Sequence, residues 1–300
     1  MKGCSPYHAG RVAVVGRPNV GKSTLLNRLV GEAISVTSRK AQTTRYCITG
    51  IVTTAEAQIA FVDTPGYQLE HVSVLNRAMN RAVARSLPDA DATLWVVEAL
   101  KFDSRDRCLQ PLARPGKPLI VAVNKIDRLR DRDALLPFFQ ELDRTVRPSA
   151  IVPVSARRGT GIATLVSVLA PLLPQGSPLF GDDDLTTMSE RDLAAELIRE
   201  QLFRLYGEEL PYACAVEIES FQVKRTLRVI QAVILVEKDT QKAIVIGRRG
   251  DKLKKVASNA RLRMERLFGG KVHLSVWVKC KPGWMDDERT LRHLGFDLGT

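Results

Sequence analysis

The sequence predicts an α/β domain built on a mostly parallel sheet flanked by helices, followed by a smaller α+β domain. Three observations lead there. Apolar runs alternate with helical patterns through the first half, with polar residues gathered at the carboxyl ends of the runs. A stretch rich in Pro, Gly and Asp spans Pro171 to Leu185. Beyond it come a helical pattern, two strand patterns, a Gly-x-x-Gly turn opening a basic helix, and a closing strand. The 300 residues, 45% of them hydrophobic, suffice for two domains with proper cores.

Composition narrows the function classes. No apolar run nears the roughly 18 residues of a membrane span. Met1 to Gly10 lacks the apolar core of a signal peptide. Cys4, Cys47, Cys108, Cys214 and Cys280 form no Cys-x-x-Cys pair, which argues against a zinc site or a disulfide framework and for a reducing cytoplasm. The net charge of +12 fits a polyanionic partner or a basic, well-solvated surface, and charge alone does not decide between them.

The first strand, Arg11 to Val15, runs into Gly16-Arg17-Pro18-Asn19-Val20-Gly21-Lys22-Ser23-Thr24, the spacing of a phosphate-binding loop. Gly16 and Gly21 permit close backbone approach, Lys22 can place its ammonium against the β- and γ-phosphates, and Ser23 can offer a hydroxyl to Mg²⁺. Leu25, Leu26, Leu29 and Val30 recur at helical spacing, so a helix N-terminus with its positive dipole end faces the phosphates. Val36 to Arg45 is polar and without periodicity, a loop in which Thr43 or Thr44 can reach Mg²⁺ while a γ-phosphate is present.

The strand Ile59 to Val62 delivers Asp63-Thr64-Pro65-Gly66, where Asp63 can hold the Mg²⁺ shell and the Gly66 N–H can meet the γ-phosphate. Strands at Thr93 to Val97 and Leu119 to Val123 follow, the second leading into Asn124-Lys125-Ile126-Asp127. A carboxylate at Asp127 can accept from guanine N1 and N2, which adenine cannot offer, while Asn124 braces the loop and the Lys125 stem covers the base. The last strand of the series, Ala150 to Val154, ends in Ser155-Ala156-Arg157, whose backbone N–H groups can meet guanine O6. These positions predict a guanine-nucleotide domain that binds GTP and GDP.

The second half opens on Ser189-Glu190-Arg191-Asp192, which has capping-box spacing, with Leu193, Leu197, Ile198, Leu202 and Leu205 at helical intervals and Gly207 as the stop. Strands follow around Cys214 to Ile218 and Leu227 to Val236. Next comes Ile246-Gly247-Arg248-Arg249-Gly250 and a helix carrying Lys252, Lys254 and Lys255, with Leu253, Val256, Ala260, Met264 and Leu267 on one face. Residues 242–271 hold ten Lys and Arg against Asp251 and Glu265. With a closing strand at Val272 to Val278, the pattern resembles a type II KH domain, whose Gly-x-x-Gly turn clamps about four single-stranded nucleotides. Pattern alone reads 243–246 as a strand; the KH resemblance makes it a short helix.

The expected organisation is a tail at 1–10, the nucleotide domain at 11–174, a linker at 175–188 and the KH domain with its C-terminal tail at 189–300. Gly-Arg-Pro-Asn-Val-Gly-Lys-Ser, Gln-Thr-Thr-Arg, Asp-Thr-Pro-Gly and Asn-Lys-Ile-Asp resemble the TrmE–Era–Der branch of translation GTPases, and the joined KH domain ending in Gly283-Trp284-Met285 to Arg289 resembles its Era family over nearly the whole chain. The resemblance makes Thr44 the Mg²⁺ ligand beside Ser23 and Asp63, assigns a K⁺ ion to Asn19, and groups Asn19, Lys22, Thr44 and Gly66 as the catalytic set. Tyr67 stands where Ras-like enzymes carry the water-orienting Gln, so slow turnover is expected. The resemblance further implies binding near the 3′ end of 16S ribosomal RNA, help in 30S assembly, a monomer, and peripheral association with the inner membrane. A tRNA-directed relative would need its own catalytic or dimerising domain, and a nucleotide-independent RNA-binding protein would not need the complete motif set.

Overall fold

The computed structural model describes residues 6–37, 44–65, 73–86, 88–110, 116–207 and 209–298. Its chain divides into two compact units, one of residues 1–35, 44–68 and 82–187, the other of residues 36–43, 69–81 and 188–300.

The first unit is a six-stranded sheet of β1 (His8–Val15), β2 (Ile48–Thr53), β3 (Ala57–Asp63), β4 (Ala92–Glu98), β5 (Leu119–Asn124) and β6 (Ala150–Pro153). The order is β2-β3-β1-β4-β5-β6; β2 runs antiparallel to β3, and the remaining neighbours are parallel. Such sheets are covered on both faces, which is why β1, β4 and β5 read as unbroken apolar runs. Along the chain lie α1 (Lys22–Val30), α2 (Val74–Ser86), whose residues through 81 belong to the second unit, α3 (Ser104–Arg107), α4 (Leu135–Val146) and α5 (Ile162–Leu169). One face of the sheet packs Ala13, Val15, Trp95, Val97, Val121 and Val123 against Phe138, Leu142 and Val146 of α4. Strand β2 was not anticipated: Ile-Thr-Gly-Ile-Val-Thr is half-buried and shows neither a continuous apolar run nor strict alternation.

The stretch read from composition as a linker is bonded to this unit. Ala9 N–H donates to the Pro174 carbonyl at 3.0 Å, and Ile51 N–H to the Leu185 carbonyl at 2.9 Å. The wholly buried Gln58 accepts from Leu179 N–H at 2.7 Å and Phe180 N–H at 2.8 Å, and donates to the Phe180 carbonyl at 3.0 Å. Thr186 Oγ1 donates to the Thr49 carbonyl at 2.6 Å. Residues 174–186 thus form a strap whose far end lies along β2.

The second unit contains α6 (Glu190–Leu205), β7 (Cys214–Lys224), β8 (Leu227–Val236), α7 (Asp239–Ile246), α8 (Asp251–Phe268), β9 (Lys271–Cys280) and α9 (Glu288–His293). Its sheet has the order β7-β8-β9, with the first pair antiparallel and the second parallel. Ser189 caps α6 by accepting the Asp192 N–H at 3.2 Å. Leu197, Ile198 and Leu202 of α6 meet Val256, Ala260 and Met264 of α8 over the inner face of the sheet. Residues 243–246 form the last turn of α7, as the KH resemblance implies and the apolar pattern alone does not. Helix α6 buries more than its apolar stripe: Glu196 and Arg199 form a buried two-pronged ion pair at 2.7 and 2.6 Å. Within the same unit Thr37 Oγ1 donates to Glu200 at 3.3 Å, and Val74 N–H to Asp286 at 3.1 Å. Among the described residues no helix is long and apolar enough to cross a membrane.

Candidate functional site: a nucleotide cleft and a basic turn

At the carboxyl end of β1 the backbone turns through Gly16 at φ +150°, where a Cβ would lie 2.4 Å from the Val96 carbonyl oxygen. Gly21, at φ +104°, would place a Cβ 2.4 Å from Asn124 Nδ2. Both positions need glycine for space and conformation. Asn19 sits exposed between them in the left-handed region at φ +65°, a conformation Asn tolerates better than most residues. Lys22, the first residue of α1, is buried, and its Nζ donates to the carbonyls of Gly16 at 2.7 Å and Arg17 at 3.2 Å. Burial lowers the Lys22 pKa and the charge of Asp63 opposes that shift. The Arg17 guanidinium turns to Asp103 and Asp106 at 3.0 and 3.4 Å, while Pro18, Val20 and Thr24 complete the loop and the first turn.

Asp63 ends β3 with no exposure. Its Oδ2 accepts from Ser23 Oγ at 2.8 Å, Ser35 Oγ at 3.2 Å and Thr44 Oγ1 at 3.4 Å, and the Ser23 and Thr44 hydroxyls lie 2.8 Å apart. Burial pushes the Asp63 carboxyl up, while Lys22 and the three hydroxyls pull it down. Its Oδ1 is buried without a partner. One carboxylate with an unused oxygen and two adjoining hydroxyls make an all-oxygen donor set that suits Mg²⁺. Thr64 Oγ1 donates to the Val14 carbonyl at 2.9 Å, and Pro65 is the last described residue of this segment. Thr43, Gly66 and Tyr67 lie outside the described residues.

The base end is tied to the phosphate end. Asn124 Nδ2 donates to the Val20 carbonyl at 2.8 Å, and its Oδ1 accepts from Lys125 N–H at 2.8 Å and Ala156 N–H at 3.0 Å. One side chain therefore joins three loops. Asp127 accepts from Ser155 Oγ at 2.6 Å, and that bond first, against partial burial, holds its carboxyl below the ordinary range. The carboxylate thus stays an ionised acceptor, as guanine recognition requires. Lys125, at φ +68°, pairs through Nζ with Glu98. Burial alone would raise the Glu98 pKa, but hydrogen bonds and charges from Lys101 and Lys125 hold it below the usual range. Arg28 of α1 donates to the carbonyls of Ala156 at 3.2 Å and Arg157 at 2.8 Å. Sequence reasoning missed Arg28, Ser35 and Glu98, because none belongs to a fixed-spacing motif.

In the second unit α7 ends at Gly247, whose φ of +75° and ψ of 177° suit glycine and whose Cβ would fall 2.4 Å from Asp251 Oδ1. Arg249 at φ +54° and Gly250 at φ +78° complete the turn into α8. The side chains of Arg248, Arg249, Lys252, Lys254 and Lys255 are exposed; Ile246 and Leu253 are half-buried against the core. Tyr206 supports the turn, donating to the Val245 carbonyl at 2.6 Å, while the Lys252 ammonium lies 5.7 Å from its ring centroid. Ile244, 50% exposed, adds an apolar surface beside this turn. The arrangement offers backbone N–H groups and cations to a sugar-phosphate chain.

Comparison with known proteins places both regions. A family model described as a 50S ribosome-binding GTPase matches residues 11–125, and a KH-domain model matches residues 209–285. GTPase Era of Chromobacterium violaceum is 49% identical over 293 residues, covering 98% of this chain and 99% of the relative. GTPase Era of Nitrosomonas eutropha is 51% identical over 294 residues, with 98% and 99% covered. Among solved structures, an Aquifex aeolicus Era variant bound to GDP·AlF4⁻ aligns with a TM-score of 0.92 at 38% identity, covering 96% of this chain and 99% of that one. Era in complex with MgGDPNP and nucleotides 1506–1542 of 16S ribosomal RNA aligns with a TM-score of 0.93 at 37% identity, over 97% and 99%.

Proposed function

The chain belongs to the Era family of GTPases, and we propose that it is a GTP-binding, slowly GTP-hydrolysing RNA switch that assists 30S assembly at the 3′ end of 16S ribosomal RNA. The observation that carries this reading is the Asn124 bridge. By holding Val20 of the phosphate loop, Ala156 and its own loop together, it fixes the phosphate end and the base end in one cleft, which supports a single ligand reaching from Lys22 to Asp127. A guanine nucleotide has that length and those two chemistries.

In this reading Lys22 exchanges its loop carbonyls for β- and γ-phosphate oxygens, Asp127 accepts the guanine N–H groups, and the Ser155 hydroxyl keeps that carboxylate ionised and oriented. Ser23, Thr44 and Asp63 would hold Mg²⁺, which would neutralise charge on the phosphates. Gly66 is the residue whose N–H would meet the γ-phosphate, and Asn19 is the residue that would hold K⁺. Tyr67 supplies no carboxamide to orient water, so hydrolysis is slow and the bound state persists. Ordering of the segments that carry Thr44 and Gly66 biases how the KH turn at Gly247–Gly250 meets RNA. The protein acts as a cytoplasmic monomer that associates peripherally with the inner membrane.

The test is RNA binding by the full chain with GTP, GDP or no nucleotide, on an oligonucleotide of the 16S 3′ end. Tighter binding with GTP than with GDP is expected; equal affinities in all three states would remove the switch. Single-turnover hydrolysis in K⁺ against Na⁺ buffer tests Asn19, and equal rates would leave K⁺ without a role.

A further inference from the structure

Three hydroxyls converge on one oxygen of Asp63, and they are not equivalent. Ser23 and Thr44 also bond each other at 2.8 Å and belong to the donor set that suits Mg²⁺. A hydroxyl that gives lone pairs to a metal has its O–H direction dictated by the metal as well as by the protein. Ser35 carries no such obligation. Its Oγ lies 3.2 Å from Asp63 Oδ2, and the residue is 4% exposed.

What distinguishes Ser35 is how firmly its backbone is fixed. Asn27 of α1 donates through Nδ2 to the Ser35 carbonyl at 2.8 Å, and its Oδ1 accepts from Ile34 N–H at 3.0 Å and Ser35 N–H at 2.9 Å. Helix α1 also carries Lys22 and Ser23 in its first turn. The hydroxyl of Ser35 is therefore referenced to the same rigid element as the phosphate-binding lysine. Asp63 Oδ1 is buried without a protein partner, so the bonds to Oδ2 are what fix this carboxylate.

We propose that Ser35, held by Asn27, is a positioning residue of the divalent-metal site: by bonding Asp63 Oδ2 it holds the carboxylate in the orientation in which it meets Ser23, Thr44 and the cation they would share. Outer-shell hydrogen bonds to ligating carboxylates act in this way, and their loss typically weakens metal affinity by about tenfold or more. The inference rests on the reading of the cleft as an Mg²⁺–guanine nucleotide site. Ser35→Ala removes the hydroxyl while leaving the Asn27 bonds to the backbone in place, so the loop keeps its course.

The experiment measures release of a fluorescent GDP from the full chain as Mg²⁺ is titrated, with an EDTA arm. For Ser35→Ala the Mg²⁺ concentration that half-suppresses release rises about tenfold, release in EDTA stays at the wild-type rate, and Ser35→Thr, which keeps a hydroxyl, stays near wild type. An unshifted Mg²⁺ midpoint overturns the proposal. So does faster release to the same extent with and without Mg²⁺, because that marks a general loosening of the cleft. Wild-type release that ignores Mg²⁺ would remove the metal reading itself, and the role of Ser35 with it.

Discussion

The nucleotide cleft and the KH turn both bind phosphate, yet they are built in opposite ways. In the cleft Lys22, Ser23, Asp63 and Asn124 are buried and bonded to one another or to backbone, so a ligand enters by exchanging bonds already made. At the turn the cations of Arg248, Arg249, Lys254 and Lys255 stand in solvent. Preorganised buried donors and acceptors give selectivity, because an ill-fitting ligand leaves them unpaired. Exposed cations give affinity that is additive, tolerant of sequence and weakened by salt.

That contrast predicts a hierarchy. Asp127→Ala has the largest effect, a loss of GTP affinity of roughly 10⁴-fold that changes little with ionic strength. Fluorescent-nucleotide titration at two salt concentrations measures it, and a loss that shrinks at high salt would break the comparison. Arg248→Ala combined with Arg249→Ala comes next. RNA affinity falls, and the slope of log K against log salt becomes shallower by about 1.4, at about 0.7 per phosphate contact on a single strand. A parallel drop with no change of slope would place both side chains away from the backbone of the RNA.

Smaller effects sharpen the same line. Arg28→Ala frees the carbonyls of Ala156 and Arg157 and speeds GDP release roughly fivefold, the equivalent of about one exposed hydrogen bond. Stopped-flow displacement reads it directly, and a change in RNA affinity at saturating GTP would be the contrary result. The smallest is at Tyr206. Burial raises its phenol to about 12 against an ordinary 10.0. A raised folded-state pKa gives stability that is complete below the unfolded value and lost as pH rises through the folded one, here between about 10 and 12. Tyr206→Phe lowers stability near neutrality by about 1 kcal/mol and removes that alkaline decline. Urea unfolding at neutral and alkaline pH compares the two forms, and an equal decline in both would place the titration elsewhere.

Much of the fold and the base and phosphate contacts were legible because they sit in motifs of fixed spacing at strand ends. Gly16, Gly21 and Asn124 are dictated by backbone geometry, and such constraints leave a mark in sequence. Asn27, Arg28, Ser35 and Glu98 left none, since each acts through a contact made only in the folded chain. Gln58 is the same kind of residue: a polar side chain in an apolar strand, explained only by the backbone of Leu179 and Phe180. Strand β2 escaped for a different reason. Its pairing with β3 decides its conformation, and its own six residues do not.

The strap at residues 174–186 has a consequence for the sheet edge it lies on. A free edge of β2 would expose unpaired backbone groups, and the strap covers part of it with the protein's own chain. Its bonds to Thr49, Ile51 and Gln58 also lie upstream of everything beyond residue 187. These bonds fasten the strap to β2 and β3, the hairpin that follows the segment of Thr44 and ends in Asp63. The chain therefore leaves the first unit from a segment already fastened to a sheet edge, and the length free to move is shorter than the Pro-, Gly- and Asp-rich composition alone suggests.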